Sequence, residues 1–155
     1  MVMFMKEIVK KMYVLLLPIA AGAAIATQSV LNNNIGKKVG MLEVVILVHL
    51  FGLIVSLLIY FVKGESDIVT LISTASWKAV IAGMLGIIIT YSIAASISNI
   101  GVLETIMISI TVQMVLSKVI DHFGILGVTQ KPININEVIA LGCFILGVIL
   151  LRTSK

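Results

Sequence analysis

The chain has 155 residues, of which 60% are hydrophobic and 12% are charged, with a net charge of +4. Soluble domains are about 45–50% apolar and about 25% charged, so this composition excludes a soluble domain and predicts an integral membrane protein. The basic residues lie between long apolar runs with no basic helix face, which argues against a nucleic-acid partner and favours contacts with anionic membrane lipid. The one cysteine, Cys143, excludes an internal disulfide and a zinc cluster, and we expect it to be a small packing residue.

Five apolar runs are long enough to cross a bilayer as helices of about 20 residues each. They cover residues 12–31, 41–62, 79–97, 101–120 and 135–151. Lipid offers no partner to open backbone groups, and these runs are continuous rather than alternating, so helices are favoured over barrel strands. The predicted fold class is therefore all-α, a polytopic membrane bundle of five transmembrane helices that forms a single membrane domain over residues 1–155.

The connections between the predicted spans are short. Residues 32–40 are predicted to form a polar loop, and residues 98–101 a tight turn. Residues 63–78 have room for a short interfacial helix that ends near Trp77. The last connection, residues 121–134, is Gly-rich.

The start of the last span carries a capping pattern. Asn134 or Asn136 is suited to cap the helix, because a side-chain amide oxygen accepts from free backbone N–H groups. Glu137 lies near the positive end of the helix dipole.

The basic residues are divided unevenly between the two membrane faces. Seven lie on the face of the N-terminus and four on the other: Lys6, Lys10, Lys11, Lys63, Lys78, Lys118 and Lys131 against Lys37, Lys38, Arg152 and Lys155. Basic segments stay cytoplasmic, which predicts a cytoplasmic N-terminus. The bias is modest, so insertion in both orientations is the alternative. The first span resembles a signal peptide, but further spans follow it and we expect it to be retained.

Polar residues on the first three spans are the first candidates for function, because polar groups are costly within lipid. Gln28 and Asn32 extend a stripe of small residues at i, i+4 spacing, which fits either a polar cavity or helix packing. His49 shares a helix face with small residues and is a candidate for proton coupling or for a bond to a backbone carbonyl. Tyr91 lies beside a close-packing face and is a candidate for a cavity wall.

The fourth span has polar residues on two faces, which places it inside a bundle. Gln113 lies on one face with Ser109 and Ser117 at i, i+4, i+8 spacing, and is a cavity candidate. Glu104 is a candidate for proton or cation binding, with solvation at the membrane interface as the alternative. The fifth span is almost purely apolar, which favours packing or oligomerisation.

Several chemistries are missing from the sequence. It has no phosphate-binding loop with Lys-Ser/Thr, no HExxH, no nucleophile elbow and no metal-ligand cluster. The connections are too short for a catalytic domain. We therefore predict no enzyme activity, no cofactor and no metal.

The segment Gln113–Gly127, QMVLSKVIDHFGILG, resembles the YdcZ-type family of small bacterial inner-membrane proteins in the drug/metabolite transporter superfamily. The order of Gly22, Gln28, Asn32 and Gly40 is similar to that of the same family. The resemblance implies a half-size transporter that pairs with a second copy in inverted orientation, as a homodimer, or with a paralogous half. The substrate site would then lie near the midplane, where the halves meet.

The small multidrug resistance transporters are similar in using a first-helix glutamate for protons and cations. This chain has no acidic residue between Lys11 and Lys38. Gln28 would replace charge by hydrogen bonding there, which suits a neutral or zwitterionic solute.

Within the family-like segment, Asp121 and His122 lie at the membrane boundary, followed by Gly124 and Gly127. Asp121 is suited to anchor the turn through backbone N–H groups, with the glycines supplying left-handed dihedrals. A gating or proton role for the Asp121–His122 pair is the alternative.

The leading functional hypothesis is a secondary transporter subunit in the bacterial inner membrane that exports a small metabolite or drug-like solute by alternating access. The solute-binding candidates are Gln28, Asn32, His49, Tyr91 and Gln113. The proton-coupling candidates are His49 and Glu104. The alternative hypothesis is a non-transporting membrane scaffold, in which the polar stripes only join helices.

Overall fold

In a computed structural model, the chain is described over residues 2–64, 67–74 and 76–154, with the side chains of residues 2–4 and 6–13 outside that description. The lysines at 6, 10 and 11 therefore lie outside the described side chains, and Lys155 outside the described residues. The chain divides into two compact units, Met1–Ala95 and Ser96–Lys155, and each is treated by itself.

The described residues form six α-helices and one 3₁₀ turn. In chain order these are α1 (Val2–Val39), α2 (Met41–Lys63), α3 (Ile68–Thr74), α4 (Trp77–Ile100), α5 (Val102–Phe123), the 3₁₀ turn Ile125–Gly127 and α6 (Ile135–Thr153). Five segments are long and apolar enough to cross a membrane: Val14–Val39 of α1 and the whole of α2, α4, α5 and α6. The predicted all-helical fold with five candidate spans is confirmed.

The predicted polar loop at residues 32–40 is wrong, because α1 continues through it to Val39. Asn33 is buried and its side-chain nitrogen donates to the carbonyl of Ala94 at 2.7 Å, so the polar segment is held as a helix against α4. The chain reverses at Gly40 alone, whose φ of 107° is a conformation that L side chains rarely adopt.

The predicted turn at residues 98–101 is likewise wrong in extent. Helix α4 continues to Ile100, and Gly101, with φ of 87°, is the one residue between α4 and α5. In both turns a single glycine breaks the helix, whereas the polar residues before it do not, because they keep their backbone hydrogen bonds.

The predicted short helix between the second and third spans is present as α3. It ends at Thr74, and Trp77 begins α4 instead of ending α3. Asp67 precedes α3, and hydrogen bonds from the side chain and the backbone N–H of Thr70 hold the pKa of its carboxyl below the usual value. Asp67 therefore acts as a cap, which explains where α3 begins.

The connection between α5 and α6 is a compact turn. Gly124 ends α5 in the left-handed conformation, with φ of 64°, and its N–H donates to the carbonyl of Ile120. Leu126 and Gly127 also have positive φ, of 65° and 88°. The N–H of Lys131 returns to the carbonyl of Asp121 at 2.8 Å, which closes the loop onto the end of α5.

The start of α6 is a capping box. Asn134 accepts a hydrogen bond from the N–H of Asn136 at 2.9 Å, and Glu137 accepts one from the N–H of Asn134 at 2.9 Å. The predicted cap at Asn134 is confirmed. The reciprocal pair fixes the first turn of α6 and brings Glu137 back toward α5.

The packed interior of each unit is small. In the first unit α1 packs on α2, where Gly36 leaves room for Met41 and Val44, and Val44 is fully buried. In the second unit α5 packs on α6, and Gly147 allows the close approach of Met107. Most other large apolar side chains point outward, which is the favourable arrangement for helices whose solvent is lipid.

Candidate functional site

Gln28 and Asn32 lie on one wall in the first unit, as their i, i+4 spacing predicts. They line an open cavity of about 560 Å³ together with small and aliphatic residues of α1 and with Val48 of α2. Asn32 is buried, whereas Gln28 is exposed and has no hydrogen-bond partner among the described residues. The wall thus carries two amides in a mostly apolar surface, of which that of Gln28 is the exposed one.

Asn33 is a polar residue of the first unit that the sequence does not single out. Its side chain is 2% exposed and joins α1 to α4 through the carbonyl of Ala94. Three consecutive asparagines, residues 32–34, give no spacing that distinguishes the member that bonds to α4, so only the packed structure identifies it.

His49 faces α4 at a close contact. Its Nδ1 lies 2.8 Å from the carbonyl of Val45, one turn earlier on α2, so this nitrogen carries the hydrogen and donates it. A Cβ placed on Gly86 would lie 3.3 Å from Nε2, which means that Gly86 gives the imidazole its space. His49 is not part of the cavity wall that holds Gln28 and Asn32.

Tyr91 is 42% exposed on α4. Like His49, it lies outside the wall formed by Gln28 and Asn32. The structure therefore brings two of the four first-unit candidates together in one cavity and leaves the other two apart from it.

Glu104 is buried in the first turn of α5, where its side chain is 5% exposed. Its Oε1 lies 2.9 Å from Nε of Arg152, which stands in the last turn of α6 and is 65% exposed. A guanidinium is always charged in proteins, so the contact is an ion pair. It joins the start of α5 to the end of α6. The sequence suggests Glu104 as a coupling residue but does not indicate its partner.

Lys118 ties the other end of the same two helices. Its ammonium lies 2.6 Å from Oε2 of Glu137 and donates to the carbonyl of Pro132 at 3.1 Å. The sequence analysis treats Lys118 only as a topology signal and Glu137 only as a residue at a helix start. The sequence does contain a signal for this ion pair: a basic residue near the end of α5 and an acidic residue near the start of α6. A tight connection between the two helices brings those ends together.

Gln113 lines an open cavity of about 400 Å³ between α5 and α6. The same wall contains Ser117, Lys118, Asp121 and Glu137, beside apolar residues of both helices. Gln113 and Ser117 are exposed, and Asp121 is partly buried. This cavity collects more charged and hydrogen-bonding groups than the cavity around Gln28.

His122 and the turn glycines lie next to that cavity. The Nδ1 atom of His122 is buried without a hydrogen-bond partner among the described residues, and its ring packs edge-on against Phe123 at 4.9 Å between centroids. Asp121 contributes its backbone carbonyl to the turn, and its carboxylate remains on the cavity wall. Across the described residues, no three potential metal-ligating side chains come together.

A family model described as "Putative inner membrane exporter, YdcZ" matches residues 13–150 of the chain. The match includes all five candidate spans except the last few residues of α6. No curated protein and no solved structure matches the chain.

Proposed function

The chain belongs to the YdcZ family of inner-membrane exporters, and from this premise we propose that it is one half of a secondary transporter. The other half is a second copy inserted in the opposite orientation. Together they export a small solute by alternating access, with the solute site shared between the copies.

The observation that carries this proposal is the exposed polar surface of the spans. Gln28 on α1 and Gln113 on α5 are exposed, and neither amide has a hydrogen-bond partner among the described residues. An amide facing hydrocarbon without a partner costs on the order of a few kcal/mol. Each amide therefore needs a hydrogen-bond partner, either water in a cavity or a polar group of a second protein surface. A transporter dimer contains both.

The position of Gln113 supports a site near the membrane centre. Helix α5 runs from Val102 to Phe123, so Gln113 lies close to its midpoint. An intramembrane polar residue is expensive and faces a cavity or a partner rather than lipid. In transporters built from inverted halves, the solute binds at this depth.

The weak charge asymmetry supports two orientations. Seven basic residues on one face against four on the other give a small bias for orientation. A five-span chain has its ends on opposite faces, so two oppositely inserted copies form an inverted pair without gene duplication.

Transport by reconstituted protein tests the proposal. Proteoliposomes are loaded with glucose, alanine or putrescine, which represent neutral, zwitterionic and cationic solutes. We expect wild-type protein to release at least one of them, and Gln28→Ala or Gln113→Ala to lower that flux at least fivefold while the dimer remains assembled.

Ser56→Ala is the matched control, because Ser56 is also an exposed span residue but its hydroxyl already donates to the carbonyl of Gly52 on its own helix. Its flux should equal that of the wild type. An assembled protein that releases none of the three classes of solute would contradict export and favour a membrane scaffold.

A further inference from the structure

Three side chains of α5 form a ladder along the cavity between α5 and α6. Gln113, Ser117 and Asp121 are spaced by four residues, and all three line this cavity. With a rise of 1.5 Å per residue, the ladder extends about 12 Å, from the end of α5 to its middle. Its charged member lies at the membrane boundary and its neutral amide lies deepest.

The side chains of this ladder form no hydrogen bond or ion pair with the described part of the chain. Helix α5 has four hydroxyl side chains, and three of them, Thr105, Ser109 and Thr111, donate to carbonyls one turn back. The fourth, Ser117, has no partner among the described residues, and neither do the side chains of Gln113 and Asp121. Three polar side chains of α5 without a partner among the described residues thus lie on the cavity wall; His122, the other one, is not among the residues that line it.

The charges on the wall do not cancel. Lys118 is 2.6 Å from Glu137 and also donates to the carbonyl of Pro132, so its charge is matched by Glu137. The Asp121 carboxylate lies on the same wall and forms no ion pair with a described residue. Asp121 is therefore the one charged group on this wall without an ion-pair partner among the described residues, in a partly buried position where screening by water is reduced. The charge of Lys131, outside the wall, acts on Glu137.

The remaining wall is apolar. Ile110 and Met114 of α5 and Ala140 and Leu141 of α6 also line the cavity. A volume of about 400 Å³ lies in the range of small-molecule pockets. The cavity thus offers a hydrocarbon surface with a carboxylate at one end and hydrogen-bonding groups along one side.

We infer that this cavity binds the protonated amine of a small amphipathic molecule. The ammonium pairs with the Asp121 carboxylate, Ser117 and Gln113 bond the polar atoms beyond it, and the apolar part lies against Met114 and Leu141. The inference rests on the proposed function, because it names the chemical class of the solute. A cationic or zwitterionic solute carries the required group, whereas a neutral one does not.

Binding of a fluorescent primary amine tests the site. The full chain in phosphatidylcholine nanodiscs is titrated into dansylcadaverine or into its N-acetyl derivative, which keeps the fluorophore and loses the charge. Fluorescence anisotropy should give at least tenfold tighter binding of the amine. Asp121→Asn should remove that tenfold preference and leave the N-acetyl compound unchanged, while the backbone bond from Lys131 to residue 121 is retained.

Glu43→Gln is the matched control, because it removes one negative charge from the first turn of α2 and Glu43 is not among the residues that line the cavity. It should bind both probes as the wild type does. Nanodiscs that contain phosphatidylethanolamine separate two sources of the amine: competition by this lipid assigns the site to a lipid headgroup, and unchanged binding assigns it to a soluble amine.

Equal binding of the two probes by the wild type would overturn the inference, as would full amine preference in Asp121→Asn. Either result leaves the transporter proposal standing, since that proposal is tested by flux and by the orientation of the two copies. Parallel copies would overturn the transporter while the probe titration still decides the amine site.

Discussion

Arg152 Nε lies 2.9 Å from Oε1 of Glu104, which ties the last turn of α6 to the first turn of α5. The other end of the same two helices is tied by Lys118 and Glu137. The acidic residue lies on α5 in the first pair and on α6 in the second. The two carboxylates differ in burial, since the Glu104 side chain is 5% exposed and that of Glu137 is 48% exposed, whereas the cations differ in the opposite sense, with Arg152 65% and Lys118 13% exposed.

Arg152→Ala should destabilise the protein by about 1–3 kcal/mol, because it removes the guanidinium from a buried carboxylate. The measurement is unfolding in mixed detergent and SDS micelles. The Arg152→Ala and Glu104→Gln double variant should regain part of the loss, since a neutral amide needs no cation. Single and double variants of equal stability would contradict a role for the ion pair.

Lys118→Met should destabilise the protein less than Arg152→Ala does, because the Glu137 carboxylate left behind is about half exposed and can be hydrated. Glu137 also keeps its bond from the N–H of Asn134, so the cap of α6 survives. The same unfolding assay gives the comparison with Arg152→Ala. A larger loss of stability for Lys118→Met than for Arg152→Ala would contradict the expectation that the burial of the carboxylate sets the cost.

Asn33→Ala should destabilise by about 1–3 kcal/mol, because the buried amide that joins α1 to the carbonyl of Ala94 is lost. Asn34→Ala changes the next residue in the same way, but Asn34 is exposed, and its unfolding should match the wild type. Equal effects of the two substitutions would show that the α1–α4 hydrogen bond contributes nothing.

Gly86→Ala should be about 1 kcal/mol less stable than the control Gly83→Ala, because the added methyl group would lie 3.3 Å from Nε2 of His49 and the imidazole must move by a few tenths of an ångström. Gly83→Ala, on the same helix, meets no neighbouring atom within 4 Å and should raise stability by about 0.5–1 kcal/mol, because alanine has the higher helix propensity. The Gly86→Ala and His49→Ala double variant should relieve the clash. If the double variant still shows the full loss of stability, the contact with His49 is not its cause.

The sequence predicts the number of spans well and their ends poorly, for physical reasons. Long apolar runs need lipid wherever they begin, so composition alone indicates five helices. The polar end of α1 depends instead on Asn33 reaching Ala94, a contact between residues 61 positions apart. Local composition cannot indicate that contact. The contact makes residues 32–39 helical, where the sequence predicts a loop.

The same distinction applies to the candidate site. The i, i+4 spacing places Gln28 with Asn32 and Gln113 with Ser117, because helical periodicity is a local property. The ion pairs of Lys118 with Glu137 and of Arg152 with Glu104 depend on how α5 and α6 pack. The first of them also depends on a turn in which Leu126 has a positive φ that its residue type does not suggest.

The central claim, two copies in opposite orientation, is tested most directly by labelling both copies of one dimer. In a Cys143→Ser background, Ser154→Cys places the only thiol just beyond the end of α6. Spheroplasts are saturated with a green membrane-impermeant maleimide and then opened and labelled with a red one, and single purified dimers are imaged. We expect most dimers to carry one label of each colour. Dimers that carry two labels of one colour would contradict the antiparallel transporter.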